Sequence, residues 1–149
     1  MIQIRNINYR PADEPGGHWV AQTDCSRRDN ARRVANERYE QAKAKKEAAE
    51  ALQKNIESEQ KSIDSALTQY DNAYASLEAA GTSYLTNDNV EALNIGSSCL
   101  TNYQTELNTA LTAVNKEVAE CNQEFEEATK QKQTADGMSC DVNWVWVPY

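Results

Sequence analysis

Histidine is almost missing from this chain: His18 is the only one in 149 residues. That scarcity removes most catalytic and metal-binding designs. A di-iron centre of the four-helix type draws on two Glu-x-x-His motifs, no Cys-His zinc site has enough ligands in sequence, and no Gly-rich phosphate loop of the Walker kind is present. Pro15 to His18 reads as a tight turn leading into a strand. No cofactor and no metal are expected, and no residue constellation favours an enzyme.

Positive charge is also short. Lys and Arg number 15 against 23 Asp and Glu, a formal net charge of -8, and both broad nucleic-acid binding and attachment to anionic membranes need basic surface. Neither is expected. Arg27, Arg28, Arg32 and Arg33 form one local basic cluster, read as a solvated or paired turn at the foot of a helix. The acidic run Glu117, Glu120, Glu124, Glu126 and Glu127 spreads over an outer helical face, where carboxylates stay ionised in water.

Long apolar runs are absent. Nothing approaches the ~18 residues needed to span a bilayer, and Met1 to Asn6 lacks the charged start and apolar core of a secretory signal. Synthesis in the cytoplasm without a signal peptide or membrane insertion is expected, with a place in a virion or an exported assembly left open.

Four cysteines are too few and too scattered for a small disulfide scaffold. Cys25 and Cys140 flank the helical region, and an antiparallel hairpin would bring them near each other. A bridge there would add about 4 to 5 kcal/mol on chain-entropy grounds. The alternative, two unlinked thiols in a reducing compartment, is slightly preferred. Cys121 falls in an apolar helical register, and Cys99 has no identifiable partner.

Proline and glycine, at three and five residues, punctuate the chain sparingly. Pro11, Pro15, Gly16 and Gly17 separate a β-branched alternating stretch at residues 2–9 from a second at 18–23, which can fold back on the first. Neither residue then occurs until Gly81. Thr23, Asp24 or Ser26 can cap the helix that fills this interval, about 55 residues and on the order of 80 Å long at 1.5 Å per residue. Gly81 begins a breaker, and Asn87 or Asp88 can cap a short helical piece that ends at Gly96. A second long helix is expected from Ser98 to Asp136, with Gly137 as its stop. Val142 to Val147 is almost wholly β-branched or aromatic, and Pro148 suits a strand end.

What the helical interval contains is a heptad. Ala42, Ala49, Ile56, Ile63, Tyr70 and Leu77 lie seven apart amid Lys, Glu, Gln and Ser, which is the pattern of a coiled-coil seam. Leu100, Leu107, Leu111, Val114, Val118, Cys121, Phe125, Ala128 and Ala135 give the second helix a matching stripe. Charge favours antiparallel pairing. Lys43, Lys45 and Lys46 fall opposite Glu124, Glu126 and Glu127, and Arg32 and Arg33 opposite Asp136.

The fold class expected is mainly α: a long antiparallel coiled-coil helical hairpin with a small antiparallel β-sheet formed by the N- and C-terminal strands. It divides into residues 1–24 (strands and loop), 25–137 (helix 25–80, turn and short helix 81–97, helix 98–136) and 138–149 (C-terminal strand). Trp144 and Trp146 occupy one face of the last strand and Val145, Val147 and Tyr149 the other, so both faces are apolar. Trp19, Trp144, Trp146, Val145 and Tyr149 are the candidate protein interface, because aromatic residues concentrate interface energy. The competing reading gathers the three tryptophans into one local mini-core.

The layout superficially resembles the small helical hairpins exported by type VII secretion systems. The Trp-x-Gly turn of that family is absent between the helices and the terminal strands are extra, so no family is assigned. The function expected is a non-enzymatic structural or assembly subunit that forms a homo-oligomer or packs in a larger protein assembly such as a virion, tail or appendage. The alternative is a soluble helical binding module, such as a secretion chaperone or a signal-less secreted partner protein.

Overall fold

The computed structural model describes residues 3–7 and 9–149. In chain order the elements are β1 (Ile4–Asn6), β2 (Gly17–Asp24), α1 (Ser26–Ala80), a single 3-10 turn (Thr82–Tyr84), α2 (Asn87–Asp136) and β3 (Asp141–Pro148). Two long helices pack against each other and a three-stranded antiparallel sheet joins the terminal strands. The helical hairpin with a β foot is therefore the fold. Among the described residues, no helix is long and apolar enough to cross a membrane.

The chain forms two compact units, one of Ala44–Gln123 and one of Met1–Lys43 with Glu124–Tyr149. In the first, Ile56, Ile63, Leu107 and Val114 make the buried core, flanked by Leu67, Leu100, Leu111 and Val118. Ile56 and Ile63 belong to the α1 heptad, Leu100, Leu107, Leu111, Val114 and Val118 to the α2 stripe, and Leu67 packs beside them; branched aliphatics fill such a seam well. A polar row runs beside it. Gln53 Nε2 donates to Asn115 Oδ1 at 2.7 Å and Gln60 Nε2 to Asn108 Oδ1 at 2.6 Å. Seven residues forward on α1 is seven residues back on α2, which fixes the antiparallel register directly.

Two helix boundaries differ from expectation. α2 runs unbroken through Gly96, and a Cβ at that position would overlap the Tyr70 phenol ring. The glycine is a notch for an aromatic side chain from the facing helix, not a terminator. The cap of α2 is Thr86, not Asn87 or Asp88: its Oγ1 accepts the Asn89 N–H at 3.2 Å and its carbonyl accepts the Val90 N–H at 3.0 Å. At the end of α1, Gly81 has φ of +127°, a conformation that glycine adopts without Cβ strain.

In the other unit the buried helical residues are small: Ala35 and Ala42 on α1, Ala128 and Ala135 on α2. The Tyr39 and Phe125 rings meet at 5.2 Å between centroids, with the Lys132 ammonium 4.3 Å from the Tyr39 ring. Arg32 reaches the end of α2, donating from Nε to Ala135 O at 3.1 Å and from Nη2 to Asp136 O at 2.8 Å and Met138 O at 3.3 Å. The expected ion pair with Asp136 is thus a bond to its carbonyl. Arg33 instead turns to its own helix, to Glu37 and Asn30.

Candidate protein interface

The sheet has the order β1-β3-β2. β2 does not fold back on β1. The C-terminal strand lies between them because the helical hairpin returns it there, and its run of β-branched and aromatic residues suits a central strand. Of the longer strand expected at residues 2–9, only Ile4–Asn6 is strand, while Ile2 and Asn8 lie outside the described residues.

Register sorts the side chains into two faces. Trp19 lies opposite Trp146, Ala21 opposite Trp144, and Arg5 opposite Trp144 on the other side. All three tryptophans therefore share one face. Trp19 is 3% exposed, its ring edge-on to Trp146 at 5.4 Å and under the Arg5 guanidinium at 5.0 Å. Gly17 allows this closeness, since a Cβ there would stand 2.6 Å from the Trp146 ring. Pro11 is buried as well. The Nε1 atoms of Trp19 and Trp144 are buried without hydrogen-bond partners among the described residues, so ring contact and burial hold this cluster together.

The opposite face is open. Ile4 sits across from Val145, and Val145 from Val20, while Val147 faces His18. Ile4 is 62% exposed, Val20 41%, Val147 37% and Tyr149 90%. His18 stacks on Tyr149 with ring centroids 5.3 Å apart. Of the five candidate interface residues, the structure sets Trp19 inside, leaves Trp144 and Trp146 half-buried beside it, and puts Val145 and Tyr149 on the accessible face. Ile4, Val20 and Val147 complete that face and were missing from the candidate set. The alternation of β3 already puts Val147 on this face, whereas Ile4 and Val20 join it only through the pairing register.

Cys25 and Cys140 are bonded to each other, with Cα atoms 4.3 Å apart. They occupy the next rung of the β2/β3 ladder after Asp24 and Asp141. A non-hydrogen-bonded antiparallel rung brings Cα atoms to about 4.5 Å, so the ladder itself delivers the two sulfurs to bonding range. Asp24 and Asp141 face each other as like charges, and each has its own compensation. Arg27 Nη2 bonds Asp141 Oδ1 at 3.3 Å. The Ser26 hydroxyl and the Ser26 N–H, which donates to Asp24 Oδ1 at 2.9 Å, hold the Asp24 carboxyl below its ordinary value.

Among the described residues, no three His, Cys, Asp or Glu side chains converge as a cation site requires. Comparison with protein families, curated proteins and solved structures returned no match.

Proposed function

We propose that this chain is a non-enzymatic structural subunit that self-associates, or packs into a larger protein assembly such as a virion, tail or appendage, through its β foot. The observation that carries the reading is the open apolar face of Ile4, Val20, Val147 and Tyr149. Covering such a face removes apolar surface from water at about 25 cal/mol per Å², and contiguous exposed apolar surface marks interaction sites in soluble proteins. Its opposite face is already occupied by the chain's own tryptophans, which leaves the valine face for another molecule.

The test is solution mass by light scattering on a sizing column, with and without reductant. A discrete, concentration-stable oligomer that Val147→Lys disperses supports an assembly subunit. A monomer at every concentration overturns self-association and favours the soluble binding module, whose partner is a different protein.

A further inference from the structure

We propose that the outer edge of β2 pairs antiparallel with the β2 edge of a second copy of this chain, Ala21 against Ala21, to join two three-stranded sheets into one of six strands. The inference rests on the assembly reading above and names the contact through which two copies first associate.

The backbone pattern defines which groups are available. The Tyr149 N–H donates to Gly16 O at 2.9 Å, and the ladder alternates from that bond. His18, Val20, Gln22 and Asp24 turn their backbone groups toward β3, while Gly17, Trp19, Ala21 and Thr23 turn theirs to the open side. Asp13 Oδ1 takes the Trp19 N–H at 3.5 Å, a weak bond. Among the described residues, nothing bonds the outward N–H of Ala21 or Thr23. An edge of this length ordinarily carries a lysine, a proline or a bulge that blocks a further strand. β2 is eight residues long, continuous in register with β3, and has none of these. The other edge, β1, is three residues long and carries Arg5.

The sequence of β2 identifies the occupant. A strand that pairs with its own copy meets itself reversed, and only some registers match outward groups with outward groups. With the two-fold axis at Ala21, the N–H and C=O of Ala21 are satisfied reciprocally, and the Thr23 N–H meets the Trp19 carbonyl of the second copy. The same register sets His18 against Asp24 at both ends, the one histidine of the strand against its one acid. Asp24 accepts both the Ser26 N–H and the Ser26 hydroxyl, and an ionised carboxylate has lone pairs for a further donor beyond these two. A shift that centres the axis on Asp24 would oppose the two acids. Val20 falls opposite Gln22, and the open apolar faces of the two sheets become continuous across the junction.

Two variants test the pairing in the full chain carrying Cys99→Ser. Ala21→Pro removes an outward N–H and leaves the β3 side of β2 intact, an edge position where proline is tolerated. It should raise the dimer dissociation constant at least tenfold by sedimentation equilibrium, with an unchanged circular dichroism spectrum. Ala21→Cys brings two thiols to a hydrogen-bonded antiparallel rung, about 5.5 Å between Cα atoms and within disulfide reach. Mild oxidation should yield a covalent dimer whose linked peptides carry position 21 from both chains. An oligomer that survives Ala21→Pro and gives no link at position 21 overturns the edge pairing while leaving the assembly reading standing. A parent chain that is monomeric at all concentrations overturns the edge pairing and self-association together.

Discussion

Arg32 closes the end of the other helix: its guanidinium donates to the carbonyls of Ala135 and Asp136, in the last turn, whose carbonyls lack the usual intrahelical donor, and the Ala135 carbonyl also accepts the Met138 N–H at 3.2 Å. Gly137 follows α2 without a left-handed φ, so the usual glycine cap is not formed and a side chain from α1 does part of that work. A cation at a helix C-terminus also meets the negative end of the helix dipole.

Removing this cap has a defined cost. Arg32→Ala is expected to lower unfolding free energy by about 1.5 to 3 kcal/mol, the range for hydrogen bonds from a charged donor. Arg32→Lys should recover only part, because an ammonium cannot span carbonyls as the planar fork does. Urea denaturation of the three proteins measures both differences, and equal stability of all three would refute the capping role.

The two stretches of helix pairing respond oppositely to side-chain volume. Ile56→Ala deletes branched atoms from the buried cluster with Ile63, Leu107 and Val114 and should cost about 2 kcal/mol or more. Ala35→Leu and Ala128→Leu add volume where buried alanines set the spacing, and overpacking of that kind costs about 1 to 3 kcal/mol. Gly96→Ala should also destabilise, although alanine is the better helix former, because its methyl group meets Tyr70. Thermal melts of the four variants suffice, and a more stable Gly96→Ala protein would refute the notch.

The disulfide joins cysteines 115 positions apart. Reduction is expected to lower stability by about 4 to 5 kcal/mol in the chain-entropy account. The paired variant Cys25→Ser with Cys140→Ser should match the reduced parent and show no further response to reductant. A parent whose urea midpoint is the same with and without reductant would show that the bond contributes nothing.

Two groups report on pH in opposite directions. The Tyr103 hydroxyl donates to the Glu59 carboxylate, which raises the phenol above its ordinary value. Its contribution is fully present below the unfolded phenol pKa and is lost as pH rises through the raised folded value. Tyr103→Phe should remove a late-titrating component from the ultraviolet titration. Asp24 is held below its ordinary value, first by the Ser26 hydroxyl and then by the Ser26 N–H. Its contribution is present above the unfolded carboxyl pKa and is lost as pH falls through the lowered folded value. Asp24→Asn should blunt that acid-side loss, and an unaltered acid limb would argue against the Ser26 contact.

The helices were legible in the sequence because a seam repeats its signal: Ala42 to Leu77 each report the same face, and misreading one changes nothing. Single-position features carry no such redundancy. Gly96 looks like any helix breaker until the Tyr70 ring is placed across from it. Strand order was hidden because β-branched residues declare a strand without naming its neighbours, and β3 became central only through the return of the hairpin. The interface set was half legible. Alternation in β3 separated Val145 and Tyr149 from the tryptophans, while the partners Ile4 and Val20 are assigned to that face by the pairing register alone. Asn108 and Asn115, seven apart and aligned with Gln60 and Gln53, were also available as a pattern, but an amide on a polar face attracts no attention until its partner is known.

The notch at Gly96 has a consequence for how the hairpin finds its alignment. A heptad seam is degenerate, since sliding one helix by seven residues again lays apolar side chains over apolar side chains. Such a slide would carry Tyr70 away from Gly96 and set it against Asn89 or Tyr103, where the helix surface offers no gap. One missing side chain thus acts as a detent in an otherwise repetitive track, at the point where Tyr70 meets α2.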